Sequence, residues 1–335
     1  MSRNKRRSHS RRSSSQGRPL PPRPPATTTL LPASDVPHSA GVEGDTLPQP
    51  SAAGQDASDE MQNELAYGGE YPPAMLLLAG EYPGPVATQL QQGLEQQGLG
   101  PVEIDAEVWD PESESYHVFC HFGGHTLRIL GFPSPADGES VQNALDCANC
   151  SREDKALMRA HGSHYFCQYY DGVSDVGAQL LAINQLGLAL ESAGAFALLD
   201  MEAWTCTPLR LVRQLLQLES AQNLIQHPPV EMWAGFVKFF VTDSDIWFCS
   251  KAYHRWGVPD FAWFGQMLQA QEAYDLFRAL FDYVRNQGAQ LRVGDTAQFG
   301  ENLILRFGSI NPQDEFLQGG GETLVIERLN PADFH

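Results

Sequence analysis

The chain has 335 residues, of which 42% are hydrophobic and 10% aromatic, so it is long enough to form one large or two small globular domains with a proper core. No stretch approaches the roughly 18 consecutive apolar residues that cross a bilayer, so we predict no membrane span. The formal net charge is −19, and a body this acidic repels phosphate backbones, which argues against nucleic-acid binding through the folded part.

Residues 1–70 differ in composition from the rest of the chain. Eight of the 22 lysines and arginines lie in the stretch 3–23, and the segment is otherwise rich in proline, serine, threonine, alanine and glycine. Such a segment cannot bury enough apolar surface to offset chain entropy. We predict a disordered arm over 1–70 and an acidic globular domain over 71–335, with candidate sub-lobes 71–225 and 226–335. The basic stretch 3–23 could bind an anionic partner or be a solvated tail.

The composition of the arm and the number of cysteines indicate the cellular compartment in which the protein works. The arm lacks the apolar segment of a secretory signal, and its prolines are incompatible with the amphipathic helix of a transit peptide. Six cysteines in a chain of this length are too few for a disulfide scaffold. We therefore predict a cytoplasmic protein.

The first elements of the globular domain have clear boundaries. The apolar run "AMLLLAG" at 74–80 is typical of a buried strand. Pro85 and Gly98 mark the beginning and end of a predicted helix. Two apolar stretches around Gly123 and Gly124 predict a hairpin, since two glycines suit a two-residue turn.

A predicted helical segment from about 138 to 161 contains a Cys-x-x-Cys, with His-x-x-His after it. Ser151 and Asp154 match a capping box, which predicts a helix ending near His161. That helix would place Cys150 and His161 about 15 Å apart. Two ligands of one zinc ion lie only about 4 Å apart. We therefore predict no metal site, and we interpret His161 as a residue that ends the helix, with a catalytic role as the alternative.

Cys147 and Cys150 could still act as a redox pair. Cys150 directly precedes the predicted helix, and a helix N-terminus can lower the pKa of a thiol. The alternative interpretation is a pair of ordinary thiols.

The middle of the chain predicts a buried helix and a second, shorter one. Ser174 is the predicted N-cap of the first helix, Gly194 its end, and the strand "AFALLD" follows. Thr207 and Pro208 predict a cap and first position for the next helix, "LRLVRQLLQL".

The last third predicts a long hairpin, a helix and two strands. The hairpin turns at 243–245, and the amphipathic helix carrying Tyr274 and Phe277 ends at Gly288. The stretches "LILRF" and "TLVIERL" are predicted strands. Because strands and helices are mixed and several strands are joined by tight turns, we predict an α+β fold with mostly antiparallel sheets flanked by helices.

His254 is the first candidate catalytic residue. Asp243, Asp245 and Asp260 lie near it in the sequence, and a His–Asp pair, His254 with Asp260 above all, could serve as a general base. The alternative is a surface histidine beyond the hairpin.

Four tryptophans, Trp233, Trp247, Trp256 and Trp263, lie within 31 residues of one another. They could line a groove for a peptide or small ligand. The alternative is that they belong to the core of the strands.

Motifs of several enzyme classes are missing from the sequence. It has no nucleophile elbow, phosphate loop, zinc-protease helix, dinucleotide fingerprint or calcium loop, so we predict no cofactor. The triple glycine at 319–321 has no strand-to-helix context and is interpreted as a flexible loop.

Three stretches resemble a bacterial family of uncharacterised proteins, the domain of unknown function 4261. They are "LMRAHGSHYFCQYYDGVSDVGAQLLAINQLGLAL", "GAFALLDMEAWTCTPLRLV" and the segment from "GVPDFAWFGQ" to "LRVGDTAQFG". The resemblance covers about 75–310 and implies an α+β fold, with no catalytic or ligand-binding residues to transfer.

Together these observations predict a non-enzymatic module that binds a protein or peptide partner. The alternatives are an enzyme that uses a His/Asp pair, and a thiol-redox protein that uses Cys147 and Cys150.

Overall fold

The structure is a computed structural model that describes residues 72–81, 84–105, 108–110, 115–299 and 303–329. The predicted arm over 1–70, with its basic stretch, lies outside the described residues.

Helices and strands alternate irregularly along the described chain. The helices are α1 (Ala87–Gln96), α2 (Glu139–Cys147), α3 (Arg152–Arg159), α4 (Val176–Ala189), α5 (Leu209–Leu218), α6 (Ala221–Gln226), α7 (Val230–Trp233) and α8 (Ala270–Gln287). The strands are β1 (Ala74–Ala79), β2 (Val102–Ile104), β3 (Val108–Asp110), β4 (Ser115–Phe122), β5 (His125–Phe132), β6 (Ser163–Asp171), β7 (Ala195–Asp200), β8 (Thr205–Pro208), β9 (Gly235–Phe240), β10 (Asp245–Lys251), β11 (Asp260–Gln266), β12 (Thr296–Phe299), β13 (Leu303–Gly308) and β14 (Thr323–Leu329). Short 3-10 turns lie at Leu190–Ala193, Tyr253–Trp256, Met267–Gln269 and Pro312–Leu317.

The first sheet has the order β2–β4–β5–β6–β1–β7–β8, and β3 pairs with β4 beside β2. Its inner strand β1 is buried on both faces, because Met75 and Leu77 enter one core while Leu76 and Leu78 enter another. Burial on both faces explains why this strand is an unbroken apolar run. Helices α1, α4 and α5 contribute to the first core, and α2 and α3 to the second.

Helix α4 lies at the centre of the first core. Ten of its 14 residues are buried, so it is apolar on nearly all sides. Its N-cap is Asp175, whose carboxylate accepts a hydrogen bond from the Ala178 amide, and not the predicted Ser174. The α-helix ends at Ala189 and continues as the 3-10 turn Leu190–Ala193, which the predicted Gly194 closes with φ of +88° in the left-handed region.

The predicted helical segment from 138 to 161 is two helices. Ala148, after α2, has φ of −49° and ψ of 126°, which are not helical angles. Helix α3 then begins at the predicted capping box of Ser151 and Asp154. The prediction for α5 is also corrected: Thr207 lies in β8, and Pro208 is the N-cap without a side-chain hydrogen bond.

The second sheet has the order β12–β13–β14–β11–β10–β9, and α8 covers one of its faces. The core between them is aromatic and includes Phe248, Phe261, Phe277 and Phe307. The predicted hairpin of β9 and β10 and the predicted end of α8 at Gly288 are confirmed.

The predicted fold class is confirmed. In the described residues both sheets are antiparallel except for the pairing of β11 with β14. None of the described helices combines the length and the apolar character needed to cross a bilayer.

Candidate functional site

A buried network of charged side chains joins the two sheets. Arg255, in the turn after β10, donates hydrogen bonds to Asp200 at the end of β7 (2.6 and 2.9 Å) and to Glu202 (2.9 Å). The Arg255 side chain is only 6% exposed and that of Asp200 only 1%. Burial alone would lower the pKa of Arg255, but the two carboxylates outweigh it and raise the pKa. Arg255 therefore stays charged.

His254 lies between two carboxylates. Its Nε2 is 2.6 Å from Glu202 Oε1, and its Nδ1 is 3.5 Å from Asp260 Oδ2, the separation of an ion pair rather than a strong hydrogen bond. The histidine side chain is 9% exposed, so it is not the surface residue of the alternative interpretation. Asp243 and Asp245 belong to the hairpin turn and take no part.

The protonation of His254 decides what this cluster can do. Burial lowers the pKa of His254, but its interactions with Asp260 and Glu202 raise it to about 9. The pKa of Glu202 changes in the opposite direction. Burial raises it, but the interactions with His254 and Arg255 outweigh burial and lower the pKa to about 2. The pair is therefore an imidazolium and a carboxylate at neutral pH, and an imidazolium cannot act as a general base.

The surroundings of His254 also offer no nucleophile. The Ser250 hydroxyl donates to Asp260 Oδ1 (2.8 Å) and not to the histidine. Because the ring nitrogens of His254 face carboxylates on opposite sides, the three side chains do not converge on one point. Within the described residues no group of three or more histidines, cysteines, aspartates and glutamates could hold a metal ion.

The glycines at 319–321 cover this cluster. A Cβ on Gly321 would lie 2.4 Å from His254 Cβ, and one on Gly319 would lie 2.5 Å from Asp260 Oδ2. The segment is a loop, as predicted, and it has no side chains because its backbone packs directly on the buried charges.

Lys251 is buried on the other side of the same segment. Its ammonium donates to the carbonyl oxygens of Leu317 (3.1 Å) and Gln318 (2.6 Å) and lies 5.2 Å from the centre of the Trp204 ring. Burial lowers its pKa.

His161 is buried in a structural position. Its Nε2 accepts a hydrogen bond from the Ala136 amide (2.8 Å), so Nδ1 carries the proton and donates to the Met158 carbonyl (2.6 Å). The ring thus links the end of α3 to the loop before α2, and both of its nitrogens are used.

Cys147 and Cys150 are free thiols on either side of the break between α2 and α3. Burial raises the pKa of both, and the nearby Asp146 and Asp154 add to the effect at Cys147 and Cys150 respectively. This direction is opposite to that of an activated thiol.

The four tryptophans have different environments. Trp233 and Trp263 are buried, at 1% and 5% exposure, and Trp256 packs on Phe281 with ring centres 5.5 Å apart. Trp247 is partly exposed on β10.

Trp247 belongs to an aromatic row, which we define as Phe239, Trp247, Phe264 and Phe316. The first three lie side by side across β9, β10 and β11, because Trp247 pairs with Phe239 on one side and Phe264 on the other. The Trp247 and Phe264 ring centres are 5.2 Å apart, and Phe316 extends the row beside Phe239 at 5.0 Å. Phe264 is 47% exposed and Phe316 43%.

Four carboxylates lie close to the aromatic row in the chain: Asp243 and Asp245 shortly before Trp247, and Asp314 and Glu315 just before Phe316. Among the described residues, none of the four lies in an ion pair. The row is therefore a partly exposed apolar surface with unpaired carboxylates close to it in the chain.

Sequence reasoning found Trp247, His254 and Asp260 but missed Arg255, Glu202 and the phenylalanines. The predicted hairpin turn does contain a signal for Phe239, since pairing outward from the turn places it opposite Trp247. Arg255 has no such signal, because its partners are 53 and 55 residues away.

Comparisons with protein-family models, curated proteins and solved structures found no significant match to this chain. The resemblance noted above therefore stays a prediction, and function has to be argued from the geometry.

Proposed function

We propose that the protein is a binding module whose aromatic row takes a basic protein segment with apolar anchor residues. One observation carries the proposal: aromatic side chains from three adjacent strands lie side by side, Phe264 exposed and Phe239 and Trp247 partly exposed, with unpaired carboxylates nearby in the chain. Contiguous exposed apolar surface of this kind typically marks an interaction site.

The chemistry of the row favours a basic partner over an acidic one. Arginine and lysine side chains can lie over the faces of Trp247 and Phe264 and reach the carboxylates of Asp243 and Asp245. The net charge of −19 adds long-range attraction for a cationic segment and repulsion for an anionic one.

The buried sites support a non-enzymatic role. His254 is protonated and covered by residues 319–321, and the thiols of Cys147 and Cys150 are less acidic than ordinary ones. The His/Asp pair therefore does not supply the neutral histidine that a general base requires, and the cysteine pair does not supply the acidic thiol that a redox protein requires.

The test uses two labelled decapeptides, one alternating arginine with leucine and one alternating glutamate with leucine. We expect the arginine peptide to bind the protein in a fluorescence titration and the glutamate peptide to bind much more weakly. Trp247→Ala should weaken binding about tenfold, as is usual for an aromatic side chain central to an interface. Phe264→Ala should do the same.

Leu218→Ala is the matched control, because Leu218 is 81% exposed on α5 and is not part of the row. The proposal fails if both peptides bind equally, or if the row variants bind the arginine peptide as tightly as Leu218→Ala does. Circular dichroism of each variant separates lost binding from lost fold.

A further inference from the structure

A second surface feature lies between the two sheets. It is a cleft of about 690 Å³ bordered by β8 and β9, which are each the last strand of their sheet. The break between α2 and α3 and the short helix α7 close its sides. Its volume is in the range of sites that hold small organic ligands.

Aromatic rings form much of the wall of this cleft. Trp204, Phe236, Phe240 and Tyr274 all line it, and Phe240 is 62% exposed. Such a wall can cover the apolar or aromatic body of a ligand.

The two carboxylates in the wall are already neutralised. Asp146 is paired with Arg159 at 2.5 Å. Glu231 is paired with Arg278 at 3.3 Å and also accepts a hydrogen bond from the Tyr274 hydroxyl.

The two lysines in the wall are not neutralised. The Lys155 ammonium donates to the backbone carbonyl of Asp146 (2.8 Å), and the Lys238 ammonium lies 5.8 Å from the centre of the Phe236 ring. In the described part of the chain no carboxylate lies within 4.0 Å of either ammonium.

Lysine is rare in this chain, and two of its lysines line the same cleft. The chain has 41 acidic residues but four lysines, of which Lys5 lies outside the described residues and Lys251 is buried against carbonyl groups. The other two both line this one cleft. An anion that enters it therefore meets two unpaired ammonium groups beside aromatic rings.

We propose that the cleft binds a small organic anion, a carboxylate or sulfonate with an aromatic or apolar body. Lys155 and Lys238 bind the anionic group, and the rings of Phe236, Phe240 and Tyr274 cover the body. The aromatic row adjoins the cleft, since the ring centre of Trp204 in its wall lies 5.7 Å from that of Phe239. The lysines are not part of the row, so this site does not depend on the function proposed above.

The probe is 8-anilinonaphthalene-1-sulfonate, which combines a sulfonate with aromatic rings and becomes fluorescent when its rings are buried. We expect the full-length protein to bind it saturably. The double variant K155Q/K238Q should raise its dissociation constant at least fivefold. The matched control is R306Q, which removes one positive charge from an exposed ion pair with Glu327 on β14. It should bind as the unaltered protein does.

Lysine labelling locates the probe independently. In acylation followed by mass spectrometry, saturating probe should slow the modification of Lys155 and Lys238 while leaving that of Lys5 unchanged. The single variant K238Q, at an exposed position, provides the same comparison if the double variant does not fold.

Several results would overturn the proposal. They are an absence of saturable binding, equal affinity of K155Q/K238Q and R306Q, and equal labelling of the lysines with and without probe. Binding that is lost in Trp247→Ala but kept in K155Q/K238Q would place the probe on the aromatic row instead. Displacement by millimolar inorganic phosphate would show that the anion alone is recognised and that no apolar body is needed.

Discussion

At the scale of single residues, Arg255 connects parts of the molecule that are distant in the sequence. Its guanidinium, attached to the second sheet, is held by Asp200 and Glu202 of the first. A planar group with five donors can bind two carboxylates at once, which a lysine ammonium cannot do with the same geometry. The residue thereby fixes the end of β7 to the turn after β10.

Removing the guanidinium should therefore be costly. We expect Arg255→Ala to lower the free energy of unfolding by about 3–5 kcal/mol, because buried carboxylates lose their counter-charge. Urea unfolding measures the change. Arg306→Ala, which breaks an exposed pair, should cost less than about 1 kcal/mol. Similar losses for the two variants would contradict the structural role assigned to Arg255.

His254 predicts a loss of stability in mildly alkaline solution. Its pKa is about 9 in the folded protein and about 6.5 when unperturbed, so its stabilising contribution is complete below pH 6.5 and disappears as the pH rises through 9. The contribution is at most about 3 kcal/mol. Glu202, with a lowered pKa, loses its own contribution at the acid end, as the pH falls towards 2.

Urea unfolding at several pH values between 6 and 9.5 tests this prediction. The decline should be much flatter in His254→Gln than in the unaltered protein. His227→Gln, at an exposed histidine after α6, should keep the full decline. A decline that is unchanged in His254→Gln would show that other groups cause it.

At the scale of elements, the segment from Pro312–Leu317 to residue 321 serves as a cover rather than a connection. It supplies the carbonyl partners of Lys251, inserts Leu317 into a small core, and lays its three glycines on His254 and Asp260. The three glycines of this segment are explained by the close approach of its backbone to buried side chains, rather than by a need for unusual backbone angles.

A methyl group at Gly321 should therefore separate the cover from the charges beneath it. We expect Gly321→Ala to lower the free energy of unfolding by about 1–3 kcal/mol, the usual cost of overpacking. Gly308→Ala is the matched control, since the nearest atom to its Cβ would be 3.8 Å away. Equal thermal stability of the two variants would show that the cover can shift without cost.

The elements predicted correctly are those whose signals are local. The capping box at Ser151, the glycine end of α8 at Gly288 and the turn at Gly123 and Gly124 each specify a boundary within a few residues. The break after α2 was missed because no proline or glycine marks it. The row of Phe239, Trp247 and Phe264 depends on strand pairing, and the pairing of β10 with β11 spans a turn that the sequence does not make evident.

At the scale of the whole molecule, charge is the dominant property. Residues 1–70 carry eight basic and eight acidic residues, so the net charge of −19 belongs entirely to the rest of the chain. Self-repulsion of this size opposes the compact state. Ion pairs such as Arg255 with Asp200 are buried and much less exposed to screening than the surface carboxylates.

Stability should therefore rise with ionic strength. We expect the thermal midpoint to increase by a few degrees between about 10 and 150 mM sodium chloride, as the screening length falls from about 30 to about 8 Å. Differential scanning calorimetry measures it, with an equal osmolality of sucrose as the control for effects other than screening. A midpoint that falls with salt would show that exposed ion pairs outweigh the repulsion.

The position of β14 has a consequence for synthesis of the protein. All strands of the first sheet are complete once Pro208 has been made, whereas β14, the last strand described, lies in the interior of the second sheet between β11 and β13. At translation rates of about 5–20 residues per second, the two events are separated by roughly 6–24 s. During that interval the first sheet can form on the ribosome while β11 has an open edge. The nascent chain is therefore most exposed to wrong pairing, and most dependent on chaperones, until β14 has been made.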